Sequence, residues 1–132
     1  MKARGLRNCN PGNIRINDDK FQGEIVPSQD SAFKQFKNMA YGYRAIFKIL
    51  GTYYNNYKLQ TIRQIISRWA PANENHTENY IKAVSDVAGI SPDDPININN
   101  REMMIRIVSG ISRVENGCEA DLADIIAGWE LL

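Results

Sequence analysis

A long apolar run and a secretory leader pattern are both missing from this sequence of 132 residues. No apolar run approaches the roughly 18 to 20 residues that span a bilayer, so we expect no membrane insertion. The first ten residues, "MKARGLRNCN", carry basic residues but no apolar stretch follows them, which is unlike a secretory signal. We therefore expect synthesis in a cytoplasm, with a separate release route for any work outside the cell.

Cysteine and histidine are scarce, which limits the available chemistry. The two cysteines, Cys9 and Cys118, are too few for a disulfide framework in a cytosolic protein. Together with the single histidine, His76, they give no zinc-ligand spacing. His76 also has no serine or cysteine partner in a nucleophile motif. We expect two free thiols, no metal and no cofactor.

Charge of one sign is not in excess either, because the formal net charge is +1, with 43% apolar and 23% charged residues. These are ordinary proportions for a globular protein, and the length suits one domain over residues 1–132. Nucleic-acid-binding proteins usually carry a basic excess or stripe, so we expect no nucleic-acid partner. The first fifteen residues contain four basic residues and no acidic one, which fits either an anion-facing patch or a solvated segment.

Helical periodicity is what the sequence does contain, preceded by one small hairpin. "FQGEIV" and "SAFKQF", within residues 21–36, predict two short strands with Pro27 in the turn. From residue 39, apolar residues recur at helical spacing and predict a helix that reaches Tyr57. Four more helices are predicted in the segments "IRQIISRWA", "ENYIKAVSDVA", "REMMIRIVSGISRVEN" and "EADLADIIAGWELL". Their expected N-caps are Thr61, then either Asn75 or Thr77, and then Asn99 paired with Glu102.

One carboxylate lies on the apolar face of its helix. Met104, Val108 and Ile111 form a stripe at helical spacing, and Glu115 follows Ile111 by four residues, so it continues the stripe. Glu115 is also in the last turn, where the helix dipole disfavours negative charge. Burial and that dipole favour the protonated form of a carboxyl group, and a glycosidase needs a protonated acid. The alternative is a frayed helix end at which Glu115 reaches water.

Three further carboxylates have to be considered beside Glu115. Glu74, in "WAPANENHTENY", is the second candidate acid, although a helix entry also favours negative charge there. Asp30 stands directly before the apolar alternation that begins at Ala32, and we keep it as a candidate. Glu24 lies in the same hairpin region, where most carboxylates are solvated.

A rigid polar loop, "RNCNPGNIR", spans residues 7–15. Pro11 fixes one backbone dihedral angle, Gly12 permits a turn, and the asparagines can brace backbone groups. Two interpretations stay open. The loop is either a structural turn that ties down the N-terminus or one wall of a binding cleft.

Five segments carry a resemblance to a known family: "RGLRNCNPGNIR", "FKQF", "YGYRAIFKIL", "TIRQIISRWAPANENHTENYI" and "ISRVENG", within about residues 1–117. They resemble the small phage-associated virion or structural proteins, whose pattern reads roughly R-G-[IL]-R-N-x-N-P-[GL]-N-I-R with a later W-A-P-x-x-E-N-x-T-x-x-Y. Those proteins are similar to lysozyme-like peptidoglycan hydrolases and glucosaminidases, in which a catalytic Glu ends a helix and a polar loop and small hairpin follow. Here the hairpin comes first and the helix last, an order that a circular permutation reconciles.

The resemblance implies a mainly α, lysozyme-like domain with a small N-terminal β-hairpin. It also implies an enzyme that cleaves peptidoglycan glycan strands, as a muramidase, lytic transglycosylase or glucosaminidase, with Glu115 as the general acid. Asp30 is the weaker candidate for stabilising the transition state, and Glu74 is the alternative acid. We assign substrate binding to Asn10, Asn13, Arg15, Asn75 and Tyr80.

The implied partner is the bacterial cell-wall glycan, bound by a monomer without metal or cofactor. We expect synthesis in the bacterial cytoplasm without a signal peptide, and action in the virion or at the cell wall after release. Two alternatives come from other functional classes. One is a non-catalytic phage structural or cell-wall-binding protein, and the other is an oligonucleotide-binding virion protein, which the near-neutral charge disfavours.

Overall fold

Helices dominate the computed structural model, which describes residues 2–132. In this range the prediction of a mainly helical protein with a small antiparallel hairpin near its N-terminus is confirmed. The elements in chain order are α1 (Arg4–Arg7), β1 (Glu24–Ile25), β2 (Gln35–Phe36), α2 (Met39–Tyr57), α3 (Ile62–Trp69), α4 (Thr77–Ala88), α5 (Arg101–Asn116) and α6 (Leu122–Glu130). The single turn α1 was not predicted, since the first twenty residues read as loop.

The hairpin is shorter than its sequence segments suggest. Glu24 pairs with Phe36 and Ile25 with Gln35, and nothing further pairs between β1 and β2. The register would next pair Val26 with Lys34, but the Lys34 N–H donates to the Ile14 carbonyl oxygen at 2.9 Å. The following residue of the first strand, Pro27, has no N–H, so the ladder with β1 ends there.

Helix boundaries follow local capping chemistry. The side chain of Thr61 accepts from the Gln64 N–H, so the predicted cap of α3 is confirmed. The predicted cap of α5 is wrong by one residue, because Asn100 caps the helix. At α4 neither Asn75 nor Thr77 is the cap, and the cap position is His76, which makes no side-chain cap bond.

The core lies where α2 packs against the later helices. Tyr43, Ile46 and Leu50 of α2 are fully buried, as are Ile107 and Ile111 of α5. Helix α6 packs closely on α2 because Gly128 has no side chain, and a Cβ there would lie 2.7 Å from the Cβ of Tyr43. Helix α5 packs on α4 in the same way, because a Cβ at Gly110 would lie 3.0 Å from the Cα of Val84. The last residue of α5, Asn116, contacts the polar loop of residues 7–15.

No helix within residues 2–132 combines the length and the hydropathy that crossing a membrane requires.

Candidate active-site cleft

The polar loop of residues 7–15 is fastened to the body of the protein by buried hydrogen bonds. Asn10 is fully buried, and its Nδ2 donates to the carbonyl oxygens of Ile14 and Lys34 at 3.0 and 2.9 Å. Its Oδ1 accepts from the Ile14 N–H at 2.9 Å. These bonds use both side-chain donors and the oxygen, so the assignment of Asn10 to substrate binding does not fit, and Asn10 braces the loop instead.

Glycine permits this loop to lie directly on α2. A Cβ at Gly42 would collide with the Cys9 carbonyl oxygen and would lie 2.6 Å from Cδ of Pro11. A Cβ at Gly12 would lie 2.9 Å from Cζ2 of Trp69. The loop is therefore pressed against α2 on one side and against the Trp69 ring on another.

The loop also joins the C-terminal end of α5. Asn116 donates from Nδ2 to the Pro11 carbonyl oxygen at 2.9 Å. Asn13 adopts a left-handed backbone conformation with φ of 48°, which asparagine tolerates better than most residues. Its Nδ2 donates to Oε1 of Glu115 at 2.9 Å. Residues more than one hundred positions apart in the chain therefore meet at the end of α5.

Glu115 is half-buried and held at both carboxyl oxygens. Oε1 accepts from Asn13, and Oε2 accepts from the Tyr80 hydroxyl at 2.7 Å. The Tyr80 oxygen in turn accepts from Nε1 of Trp69 at 3.1 Å. Burial, and then the neighbouring Glu115 charge, raise the pKa of Tyr80 well above its ordinary value. Tyr80 therefore keeps its proton and remains a donor to Glu115.

Glu115 lines a cleft with a volume of about 920 Å³. The polar loop contributes Gly12, Asn13 and Arg15 to one wall, and Phe21 and Phe33 from the hairpin region continue it. The rest of the lining comes from one face of α2, the end of α3, the residues just before β1, and Glu74 with Asn75. The carboxylate that breaks the helical pattern thus faces a groove bordered by the polar loop and the hairpin, and not bulk solvent at a frayed helix end.

The wall that carries Phe21 is braced by a buried ion pair. Lys34 is fully buried, and its Nζ lies 3.1 Å from the carboxylate of Glu24 and donates to the Asp19 carbonyl oxygen at 2.6 Å. Glu24 also accepts from the Phe21 N–H at 3.1 Å. The interpretation of Glu24 as a solvated hairpin carboxylate is therefore wrong. The hairpin buries it because Lys34 points to the same side.

Asp30 does not line the cleft. Its carboxylate accepts from the Arg4 guanidinium at 2.6 and 2.7 Å and from Nδ2 of Asn8 at 3.0 Å, in addition to two backbone N–H groups. The bonds from Arg4, followed by those from Ala32 and Asn8, hold the pKa of Asp30 well below its usual range. Its carboxylate fixes the hairpin turn to α1, so the transition-state role that the sequence suggested for it does not fit.

The remaining candidate residues divide in two. Asn13, Arg15, Glu74 and Asn75 all line the cleft with Glu115, and Glu74 and Asn75 are exposed at its rim. Tyr80 lies behind Glu115 and is buried, so it contacts the candidate acid and does not line the cleft. Across residues 2–132 no three histidine, cysteine or carboxylate side chains lie close enough together to hold a metal ion.

Two features of the cleft were not anticipated. Trp69 packs against the polar loop and donates a hydrogen bond to the Tyr80 oxygen, and no local sequence pattern predicts that role. Arg44 and Lys48, four residues apart on α2, line the cleft together with Arg68. The i, i+4 spacing of two basic residues on an otherwise apolar helix is the signal that was available.

Comparison with known proteins relates the chain to a phage protein. No protein-family model matches the sequence. Over 118 residues the chain is 42% identical to Protein P5 of Pseudoalteromonas phage PM2, and the alignment covers 87% of this chain and 72% of that protein.

Proposed function

The chain belongs to the family of Protein P5 of Pseudoalteromonas phage PM2, and from this premise we propose that it cleaves the glycan strands of bacterial peptidoglycan for a phage. In this proposal Glu115 is the general acid that protonates the leaving glycosidic oxygen. The substrate is a β-1,4-linked amino-sugar polymer, and the protein acts as a monomer in the virion or at the cell wall after release. The fold is proposed to be a circularly permuted relative of the lysozyme-like fold.

The observation that carries this proposal is the environment of Glu115. It is a half-buried carboxyl group that lines a large cleft and receives two neutral donors, Asn13 and Tyr80. A general acid becomes negative as it gives up its proton, and fixed donors at both oxygens stabilise that developing charge. The same two donors fix the orientation of the carboxyl group, which is what positioning for proton transfer requires.

A route with one carboxylate is the better proposal. Asp30 is engaged by Arg4, so a second carboxylate would have to be Glu74 or Asp19 at the cleft. In the one-carboxylate route Glu115 donates its proton to the leaving oxygen as the glycosidic bond breaks. It then takes a proton from the substrate's own hydroxyl group as that oxygen attacks the anomeric carbon, which closes an anhydro ring. Attack by the acetamido group followed by water would give a reducing end instead.

Sugar binding is proposed for the residues that line the cleft around Glu115. Arg15 has unshared donors for hydroxyl and acetamido oxygens, and Asn75 keeps one N–H beyond the bond that its Nδ2 donates to the Pro71 carbonyl oxygen. Asn13 has little donor capacity left for a sugar, because its Nδ2 already donates to Glu115. Trp69 supplies an aromatic surface of the kind on which sugar rings stack.

The test is cleavage of purified peptidoglycan, followed as loss of turbidity and by mass analysis of the released fragments. We expect Glu115→Gln to lose about 100- to 10,000-fold in rate, the usual contribution of a general acid. Glu102→Gln, on the exposed face of the same helix, is the matched control and should keep the wild-type rate. Fragments that end in anhydro sugars would identify the one-carboxylate route.

Three results would change the proposal. Full activity in Glu115→Gln with loss in Glu74→Gln would move the acid to Glu74 and keep the reaction class. Full activity in both variants would remove both assignments. No fragments from the wild-type protein, together with its retention on peptidoglycan, would favour the non-catalytic cell-wall-binding or structural protein.

A further inference from the structure

Three of the five basic side chains that line the cleft are carried by the helices of its wall. Arg44 and Lys48 lie one turn apart on α2, and Arg68 lies near the end of α3. We call these three residues the basic wall. None of them takes part in an ion pair within residues 2–132, where eight such pairs form elsewhere. Arg15 and Lys20, the other two basic residues of the lining, are in none of these ion pairs either, so all five cations of the cleft lack an acidic partner in this range.

Arg68 is held ready for a planar anion. Its guanidinium carbon lies 3.9 Å from the centre of the Tyr57 ring and 5.2 Å from that of Tyr53. Contact with aromatic faces restricts a guanidinium group while its N–H donors stay free. A restricted guanidinium loses less freedom when it binds a carboxylate through two parallel hydrogen bonds.

The charge of the cleft as a whole points the same way. Five basic side chains line it against three acidic ones, in a protein with a net charge of only +1. An uncharged sugar chain offers these cations hydrogen-bond acceptors but no negative charge. In peptidoglycan the carboxylates are carried mainly by the short peptides that branch from the glycan.

We propose that the basic wall binds the carboxylates of these stem peptides, so that the preferred substrate is peptide-bearing glycan and not bare sugar polymer. This inference rests on the proposed function, because it places the glycan in the cleft beside Glu115. Lys48 and Arg68 would contact carboxylates of a stem peptide, and Arg44, whose Nε donates to the Leu131 carbonyl oxygen, would contribute through its remaining donors.

The experiment compares two substrates and two proteins. The substrates are intact peptidoglycan strands and the same strands after an amidase has removed the stem peptides and the lactyl carboxylates exposed by that hydrolysis have been converted to neutral amides with a carbodiimide and ammonia. The variant is Lys48→Gln/Arg68→Gln, and the control is Lys37→Gln/Arg106→Gln, which removes two exposed positive charges that do not line the cleft. Both pairs are exposed, and a thermal melt verifies that each variant is folded.

We expect the Lys48→Gln/Arg68→Gln variant to lose about 5- to 10-fold in kcat/KM on peptide-bearing strands, the effect of two exposed charge contacts. The loss on stripped strands should stay below about twofold, and high salt should remove the wild-type preference for peptide-bearing strands. Equal losses on both substrates, or no loss on either, would overturn the inference.

Binding separates a failure of this inference from a failure of the proposed function. Each protein is also made with Glu115→Gln, and its co-sedimentation with both kinds of strand is measured. If wild type cleaves neither substrate, the proposed function fails, while weaker binding of the Lys48→Gln/Arg68→Gln protein to peptide-bearing strands alone still supports the stem-peptide site. Displacement by a single-stranded oligonucleotide as readily as by free stem peptide would overturn it, because the site would then bind polyanions in general.

Discussion

Replacing Tyr80 by Phe removes one oxygen that supports Glu115 from behind. Two hydrogen bonds disappear, one of 2.7 Å to the Glu115 carboxyl group and one of 3.1 Å from Trp69. A bond to a charged group contributes about 1.5 to 3 kcal/mol and a neutral one about 1 kcal/mol. Because Glu115 is only half-buried, water replaces part of the loss, and we expect the free energy of unfolding to fall by about 1 to 2 kcal/mol. That corresponds to a melting temperature lower by roughly 3 to 8 °C.

At the assay temperature the loss of cleavage rate in Tyr80→Phe should be larger than the fraction of unfolded protein explains. Glu115 keeps Asn13 as its second donor, so its orientation is loosened and not lost. We expect kcat to fall about 10- to 100-fold, which equals about 1.4 to 2.7 kcal/mol and matches one charge-assisted bond. KM should change little, because Tyr80 does not line the cleft.

Steady-state kinetics on peptidoglycan and a thermal melt of the same samples test this prediction. Tyr54→Phe is the matched control, since the Tyr54 hydroxyl donates to the Ile96 carbonyl oxygen at 3.2 Å outside the cleft. It should lose some stability but no activity. A wild-type kcat in Tyr80→Phe, or a loss of activity equal to the fraction of unfolded protein, would refute this role of Tyr80.

Two further predictions concern the hairpin. Glu24→Gln should lower the free energy of unfolding in urea by about 3 kcal/mol, because it leaves the Lys34 charge buried without its partner. The double variant Glu24→Leu/Lys34→Met should lose much less stability than the summed losses of the single variants Glu24→Leu and Lys34→Met. Additive losses would contradict a buried pair. Asp30 has a lowered pKa in the folded state, so its contribution to stability is present above about pH 4 and is lost as the pH falls below that. The stability difference between wild type and Asp30→Asn should therefore shrink between pH 5 and pH 3, and a difference that stays constant would exclude the Arg4 bond as its source.

Local patterns in the sequence predicted the helices and the position of Glu115 well. The apolar spacing of α2 and the capping oxygen of Thr61 act within one or two turns, so they can be read without the fold. The i, i+4 relation of Glu115 to Ile111 is local as well, and it predicted correctly that this carboxylate continues the inward face. The cap of α5 was placed one residue early because Asn99 and Asn100 are both good caps. The chain uses Asn100, and the N–H of Asn99 is bound by the side chain of Asn97.

The roles that the sequence could not predict depend on distant partners. Asn10 looked like a binding residue because it is polar and in a loop, but its partners Ile14 and Lys34 make it part of the core. Asp30 was kept as a candidate for stabilising the transition state, and its partner Arg4 lies 26 residues away, beyond any local pattern. Tyr80 was expected to touch substrate, and its burial behind Glu115 follows from how α4 packs on α5. In each case the side chain's surroundings come from tertiary contacts that no sequence window contains.

The bond between Asn13 and Glu115 also sets an order in time. The two residues are 102 positions apart, and ribosomes add roughly 5 to 20 residues per second, so Glu115 is synthesised roughly 5 to 20 s after its donor. Until then the polar loop has no carboxylate to hold, and α5, which closes the arrangement, is among the last helices to emerge. A growing chain therefore carries no assembled Glu115 site until α5 has left the ribosome.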